Sequence, residues 1–149
     1  MKKINLILKI LFFYAAITFS VDAAKSNFFD KGKILFNKKE YDKSKIFFEK
    51  DIVFNPKSER SYLYLAKIFN QNENDEQEEI NLNNVLLLNP KNDEALYMLT
   101  LLKIKQSNYT KAKELIKTFT LVCKDFCSKK EIMQQKFDKL IPENEKNNN

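Results

Sequence analysis

Cys123 and Cys127 are the residues of this chain with the widest chemical repertoire, and they stand four apart. Such a pair could form a disulfide, exchange thiols or ligate a metal. Metal ligation fits worst, because the chain has no histidine and two sulfurs supply only half of a zinc site. The Cys-x-x-x-Cys spacing also departs from the Cys-x-x-Cys of thiol-exchange enzymes, and no strand-helix context surrounds it. For a disulfide, backbone geometry decides. Residues i and i+4 of one regular helix hold their Cβ atoms about 5–6 Å apart, beyond the ~3.8 Å of a disulfide. A bond therefore needs the helix to end between the two, where it would pin a turn and contribute about 2 kcal/mol for so short a loop. The structural disulfide is the expectation, without metal or cofactor. Thiol redox chemistry is the functional alternative.

Other catalytic machinery is hard to assemble. Without histidine the commonest general base is missing. Gly32 is the only glycine, so no glycine-rich phosphate loop can form. The carboxylate pairs Glu78-Glu79 and Asp93-Glu94 fall on helical stretches, where solvated charge is the ordinary role. The expectation is a protein that is not an enzyme.

The elements that must position these residues are helices. One glycine, three prolines and no tryptophan in 149 residues leave too few turn formers for a many-stranded β fold. Asn55-Pro56 and Asn89-Pro90 lie 34 residues apart, each closing an amphipathic run. A period of that length marks a two-helix unit that cannot bury its apolar face alone and must stack. With Pro56 at position 32, the first unit covers 25–58 and puts Phe28 at 4, Gly32 at 8, Leu35 at 11, Tyr41 at 17, Ser44 at 20 and Phe48 at 24. The second, 59–92, has Tyr62, Leu65, Ala66, Phe69, Leu82, Val85, Leu88 and Pro90 in phase. The third, 93–126, has Leu96, Leu99, Thr100, Tyr109, Ala112, Ile116 and Phe119. Large apolar residues at 4, small ones at 8 and 20 and proline at 32 resemble the tetratricopeptide repeat. The fold implied is all-α, an α-solenoid of stacked antiparallel helix pairs. Asp75 and Glu78 depart from the pattern at 17 and 20, which predicts looser packing inside the second unit. Lys124 replaces the third proline, beside the cysteines.

Ser128-x-x-Glu131 has the form of a helix-starting capping box. Met133, Phe137, Leu140 and Ile141 then recur on one helical stripe. This predicts a capping helix over 127–141 that covers the open end of the array, followed by a disordered tail, 142–149.

The resemblance implies a function in protein binding. In that family the first helix of each unit lines the concave face, through positions 5, 9, 12 and 13 among others. Carried over, these are Phe29, Lys33, Phe36 and Asn37, then Arg60, Leu63, Lys67 and Asn70, then Tyr97, Leu101, Ile104 and Lys105. Apolar anchors among cations and amides would suit a protein or peptide partner with some acidic groups. Lys33 and Lys67 stand where the family's C-terminal carboxylate clamp commonly uses Asn, so that clamp is not expected.

Residues 1–23 read as a signal peptide. Lys2 and Lys3 precede an apolar stretch from Ile10 to Val21, and Val21-Asp22-Ala23 suits cleavage after Ala23. Asn5 and Lys9 leave the apolar run short of the ~20 residues that span a bilayer. Export to the periplasm or medium is the expectation, and an uncleaved N-terminal anchor the alternative. Cleavage removes three cations and one anion, taking formal net charge from +6 to +4. The remaining charges alternate in sign along the helices and form no basic stripe, so no nucleic-acid partner is expected. Three units are few for a stable array, which leaves self-association through its ends open.

Overall fold

Proline at the end of each unit acts through the residue before it, which is driven out of the α region. Asn55 (φ −134°, ψ 78°) and Asn89 (φ −141°, ψ 89°) are accordingly extended and stop their helices. The computed structural model describes residues 27–141. Within them lie α1 (Phe28–Asn37), α2 (Tyr41–Phe54), α3 (Glu59–Gln71), α4 (Asp75–Leu88), α5 (Asp93–Lys105), α6 (Tyr109–Val122), a 3-10 turn (Cys127–Lys129) and α7 (Lys130–Leu140). Each odd-numbered helix from α1 to α5 packs on the helix that follows it, and each pair packs on the next. The signal segment and the tail lie outside the described residues.

Small residues permit the close approach inside each pair. A Cβ on Gly32 would sit 2.8 Å from the ring of Phe48, and the Ser44 hydroxyl donates to the Gly32 carbonyl at 2.8 Å. Ala66 and Thr100 take the equivalent places in α3 and α5 and are fully buried. Phe48, Leu65 and Ile68 form one core cluster. A larger one runs from Leu63 and Ala66 through Leu82, Val85, Leu96 and Phe119 to Met133 and Phe137. α3 contributes to both, with Leu63 and Ala66 in the larger and Leu65 and Ile68 in the smaller.

The turns inside the pairs repeat as closely as the helices do. Lys39, Glu73 and Ser107 share a left-handed conformation (φ 61°, 53° and 58°), and the residue after each donates its N–H back to Leu35, Phe69 and Lys103. None of the three is glycine, although the left-handed region favours glycine.

The second unit is not looser than its neighbours: α3 and α4 pack as closely as the other pairs. Glu78 is fully buried, and the Asn70 amide donates to both of its oxygens at 3.1 Å. Glu78 thus takes the buried position that Ser44 and Ala112 hold in the other units, with its head group paired. Burial raises the Glu78 pKa above the ordinary carboxylate value, against the Asn70 hydrogen bond, which lowers it; Asp75 raises it further and Lys105 lowers it. A carboxyl whose pKa is higher folded than unfolded favours the fold in its protonated form. That contribution is complete below the unfolded value and is lost as pH rises through the folded one. Glu78→Gln, which mimics the neutral carboxyl, is expected to raise the melting temperature at pH 7 and to leave it unchanged near pH 4. Thermal melts at the two pH values check this.

The capping box does not form. No side-chain cap bonds the start of α7, which begins at Lys130 after the 3-10 turn. The stripe is partly as predicted: Met133 and Phe137 are buried, Ile141 is half-buried, and Leu140 is exposed. Through the first three α7 closes the end of the larger core.

Candidate functional site

α6 ends at Val122, before either cysteine, so the backbone is free to bring them together. Cys123 leaves the helix with φ −56° and ψ 143°, and its Cα lies 5.2 Å from that of Cys127, with a disulfide between them. A carboxylate anchors the same turn. Asp93, the first residue of α5, accepts the backbone N–H groups of Lys124, Asp125 and Phe126 at 2.7, 2.8 and 2.9 Å on one oxygen. Burial raises the Asp93 pKa, but these hydrogen bonds outweigh it and hold the carboxyl below its ordinary value. Glu59, the first residue of α3, has the corresponding role one unit earlier and accepts from the side-chain amides of Asn89 and Asn92. The first residue of α3 and of α5 thus grips the turn that ends its own unit. In the first interface the buried Asp51 carboxylate accepts from the Ser58 and Ser61 hydroxyls instead. The cysteines therefore sit in a fastened structural turn, and no cysteine is free.

The face carried by α1, α3 and α5 is built differently from the sequence expectation. Tyr64, which the positional reading missed, is its hub. Its ring stacks on Phe48 at 4.9 Å and meets Phe29 and Phe36 edge-on at 5.7 and 4.9 Å. Phe36 also meets Tyr41 at 5.3 Å. Phe29 and Phe36 are therefore half-buried between the first two units, with an aromatic surface rather than whole side chains left to a ligand. The Arg60 guanidinium covers the Phe29 ring at 3.9 Å.

Seven other residues differ from the sequence expectation. Leu63 and Ile104 are buried in the core and cannot be surface anchors. Asn70 is committed to Glu78. Lys67 pairs with Glu94 at 2.8 Å and lies over the Tyr64 ring at 4.9 Å, so it bridges α3 and α5. Lys105 pairs with Asp75 at 2.6 Å, at the end of α5 rather than on its open face. Leu101 packs half-buried against the larger core. Tyr97 does too, its ring 6.1 Å from Phe126. What remains open is a strip of Lys33, Asn37 and Arg60 over the aromatic layer. The positional signal marked these three. It could not show which cations were already neutralised, because Glu94 and Asp75 approach from other helices. Every buried side-chain polar atom among the described residues has a hydrogen-bond partner, so nothing inside the array waits for a ligand.

No family model and no curated protein matches the chain. Among solved structures it is similar to the crystal structure of the Sgt2 TPR domain from Aspergillus fumigatus, with a TM-score of 0.65 over 77% of this chain and 80% of that one. The fold is that of a tetratricopeptide-repeat domain. At 17% identity the likeness is one of backbone architecture, the all-helical solenoid that the 34-residue phase implies.

Proposed function

We propose that this tetratricopeptide-repeat chain is a non-catalytic, exported interaction module, an adaptor or assembly factor of the cell envelope. Its first-helix face takes an extended protein segment that carries acidic groups. The observation that carries the reading is the open strip of Lys33, Asn37 and Arg60 over Phe29, Phe36 and Tyr64. Two exposed cations, Lys33 and Arg60, lack an acidic partner among the described residues, and the Arg60 guanidinium lies over the Phe29 ring, which meets Tyr64 as Phe36 does. Exposed cations steer an acidic segment, and rigid aromatic surface supplies contact at little entropic cost. Lys67, neutralised by Glu94, contributes position rather than charge.

The test is capture of a partner from the envelope by brief crosslinking of the tagged chain, beside Lys33→Glu/Arg60→Glu. Both positions are exposed, so the variant keeps its fold. Loss of about tenfold or more in captured partner is expected from two reversed charges. Undiminished capture by the folded variant would move the contact elsewhere.

The thiol-redox alternative gains nothing from the turn, where both sulfurs are bonded and Asp93 holds the loop between them. Tethering through an uncleaved N-terminus concerns residues outside the described ones. An intact amino terminus on the mature protein would establish it.

A further inference from the structure

The most exposed aliphatic side chains of the array are in register. Val53, Leu87 and Leu121 are 73%, 80% and 77% exposed and recur every 34 residues, each on the last turn of its helix, α2, α4 or α6. Phe54 and Leu88 stand beside the first two at 70% and 38%. An apolar side chain left in water three times at one repeat position is not explained by packing within the array. The three recur along the array as a row of exposed apolar side chains, a feature that marks interaction surfaces when apolar area accumulates on one side.

The row lies along one edge, where the second helix of each pair ends and the next pair begins. The turns on that edge carry exposed Lys57, Lys91 and Lys124, and the start of α7 adds Lys129 and Lys130. None of the five forms an ion pair among the described residues. Of the carboxylates there, Asp51, Glu59 and Asp93 are held in hydrogen bonds, Glu94 pairs with Lys67, and Asp125 and Glu131 are exposed. Apolar tips flanked by lysines suit the headgroup region of an anionic bilayer, where the tips enter the acyl boundary and the lysines meet lipid phosphates. The chain enters the fold at the same edge: the ring of Phe28, the first residue of α1, lies 5.5 Å from that of Phe54. No helix among the described residues is long and apolar enough to cross a membrane.

We infer that this edge is a peripheral binding site for an anionic membrane surface, which holds the array on edge and leaves the first-helix face open. A second copy is disfavoured because the lysine row would face itself.

The chain has no tryptophan, so a single introduced one reports its own position. Full-length Leu87→Trp is compared with Asn72→Trp, an exposed position on the opposite edge. Phosphatidylglycerol-containing vesicles are expected to shift Leu87→Trp emission to shorter wavelength and leave Asn72→Trp unchanged, with no shift on phosphatidylcholine alone. Adding Lys57→Gln/Lys91→Gln/Lys124→Gln should weaken partitioning by roughly a hundredfold, since each lysine near such a surface counts for about a factor of five. Unchanged Leu87→Trp emission, or equal shifts at both positions, would overturn the proposal. So would a shift that follows protein concentration without lipid, which indicates a second copy. An equal shift with soluble polyglutamate would assign the edge to an acidic protein instead.

Discussion

Phe48→Ala is expected to destabilise the protein by about 3–5 kcal/mol, the usual cost of removing a fully buried aromatic ring from a core. Phe48 is 0% exposed and lies in the core cluster with Leu65 and Ile68. It fills the space under Gly32, meets Phe29 in a tilted contact at 5.7 Å and stacks on Tyr64. The vacated space cannot close easily, because the Ser44–Gly32 hydrogen bond already sets the distance between α1 and α2. In a linear array each unit contacts only its neighbours, so damage stays local. Hydrogen exchange should therefore show α1 and α2 opening well before α5 to α7. The same substitution removes the floor of the aromatic layer, so capture of the partner should fall with it. Uniform loss of protection along the chain would show that the array unfolds as a single unit.

Asp93→Ala is expected to have the next largest effect, about 2 kcal/mol, at the other end. Three backbone N–H groups lose a charged acceptor at once, and hydrogen bonds to charged groups contribute about 1.5–3 kcal/mol each when buried. Partial exposure of the carboxylate reduces the sum. The disulfide survives in this variant, so the chain stays closed between Cys123 and Cys127 while Lys124, Asp125 and Phe126 lose their anchor. α7 is the element to watch: faster amide exchange there, with α1 to α4 unchanged, is the predicted signature. Asp93→Asn keeps an acceptor oxygen without the charge and should cost less. The pH dependence has the opposite sign to that of Glu78. The Asp93 pKa is lowered in the fold, so its contribution is present above the unfolded value and is lost as pH falls through the folded one. Wild type should lose α7 protection in acid, whereas Asp93→Ala should show little further loss.

These two residues also mark what a single sequence could and could not reveal. Phe48 is legible: an aromatic at a fixed offset from Pro56, opposite a small residue, is what a 34-residue helix pair requires. The same phase located Ala66, Thr100, Ala112 and Phe119, all buried. Asp93 was visible only as one of two adjacent carboxylates on a helix, because its partners come 31 to 33 residues later. Glu78 read as a flaw in the repeat for the same reason: Asn70, which completes it, belongs to the other helix. Repeat phase fixes which residues enter the core along each helix. It does not reveal which first-helix residues meet neighbouring units: Leu63 and Ile104 are buried, and Lys67 pairs with Glu94 of the next unit. The left-handed residue of each inner turn was hidden as well, since Lys39, Glu73 and Ser107 share a conformation and no chemistry.

The most direct test of the proposed role is site-specific photocrosslinking in the cell, with a photoreactive residue at Asn37 or at Asn83. Both are exposed; Asn37 lies on the open strip of α1 and Asn83 on α4, away from the first-helix face. An adduct with an envelope protein from Asn37 and none from Asn83 is the predicted result. Adducts from Asn83 alone, or equally from both positions, would contradict the assignment of the first-helix face as the partner-binding surface.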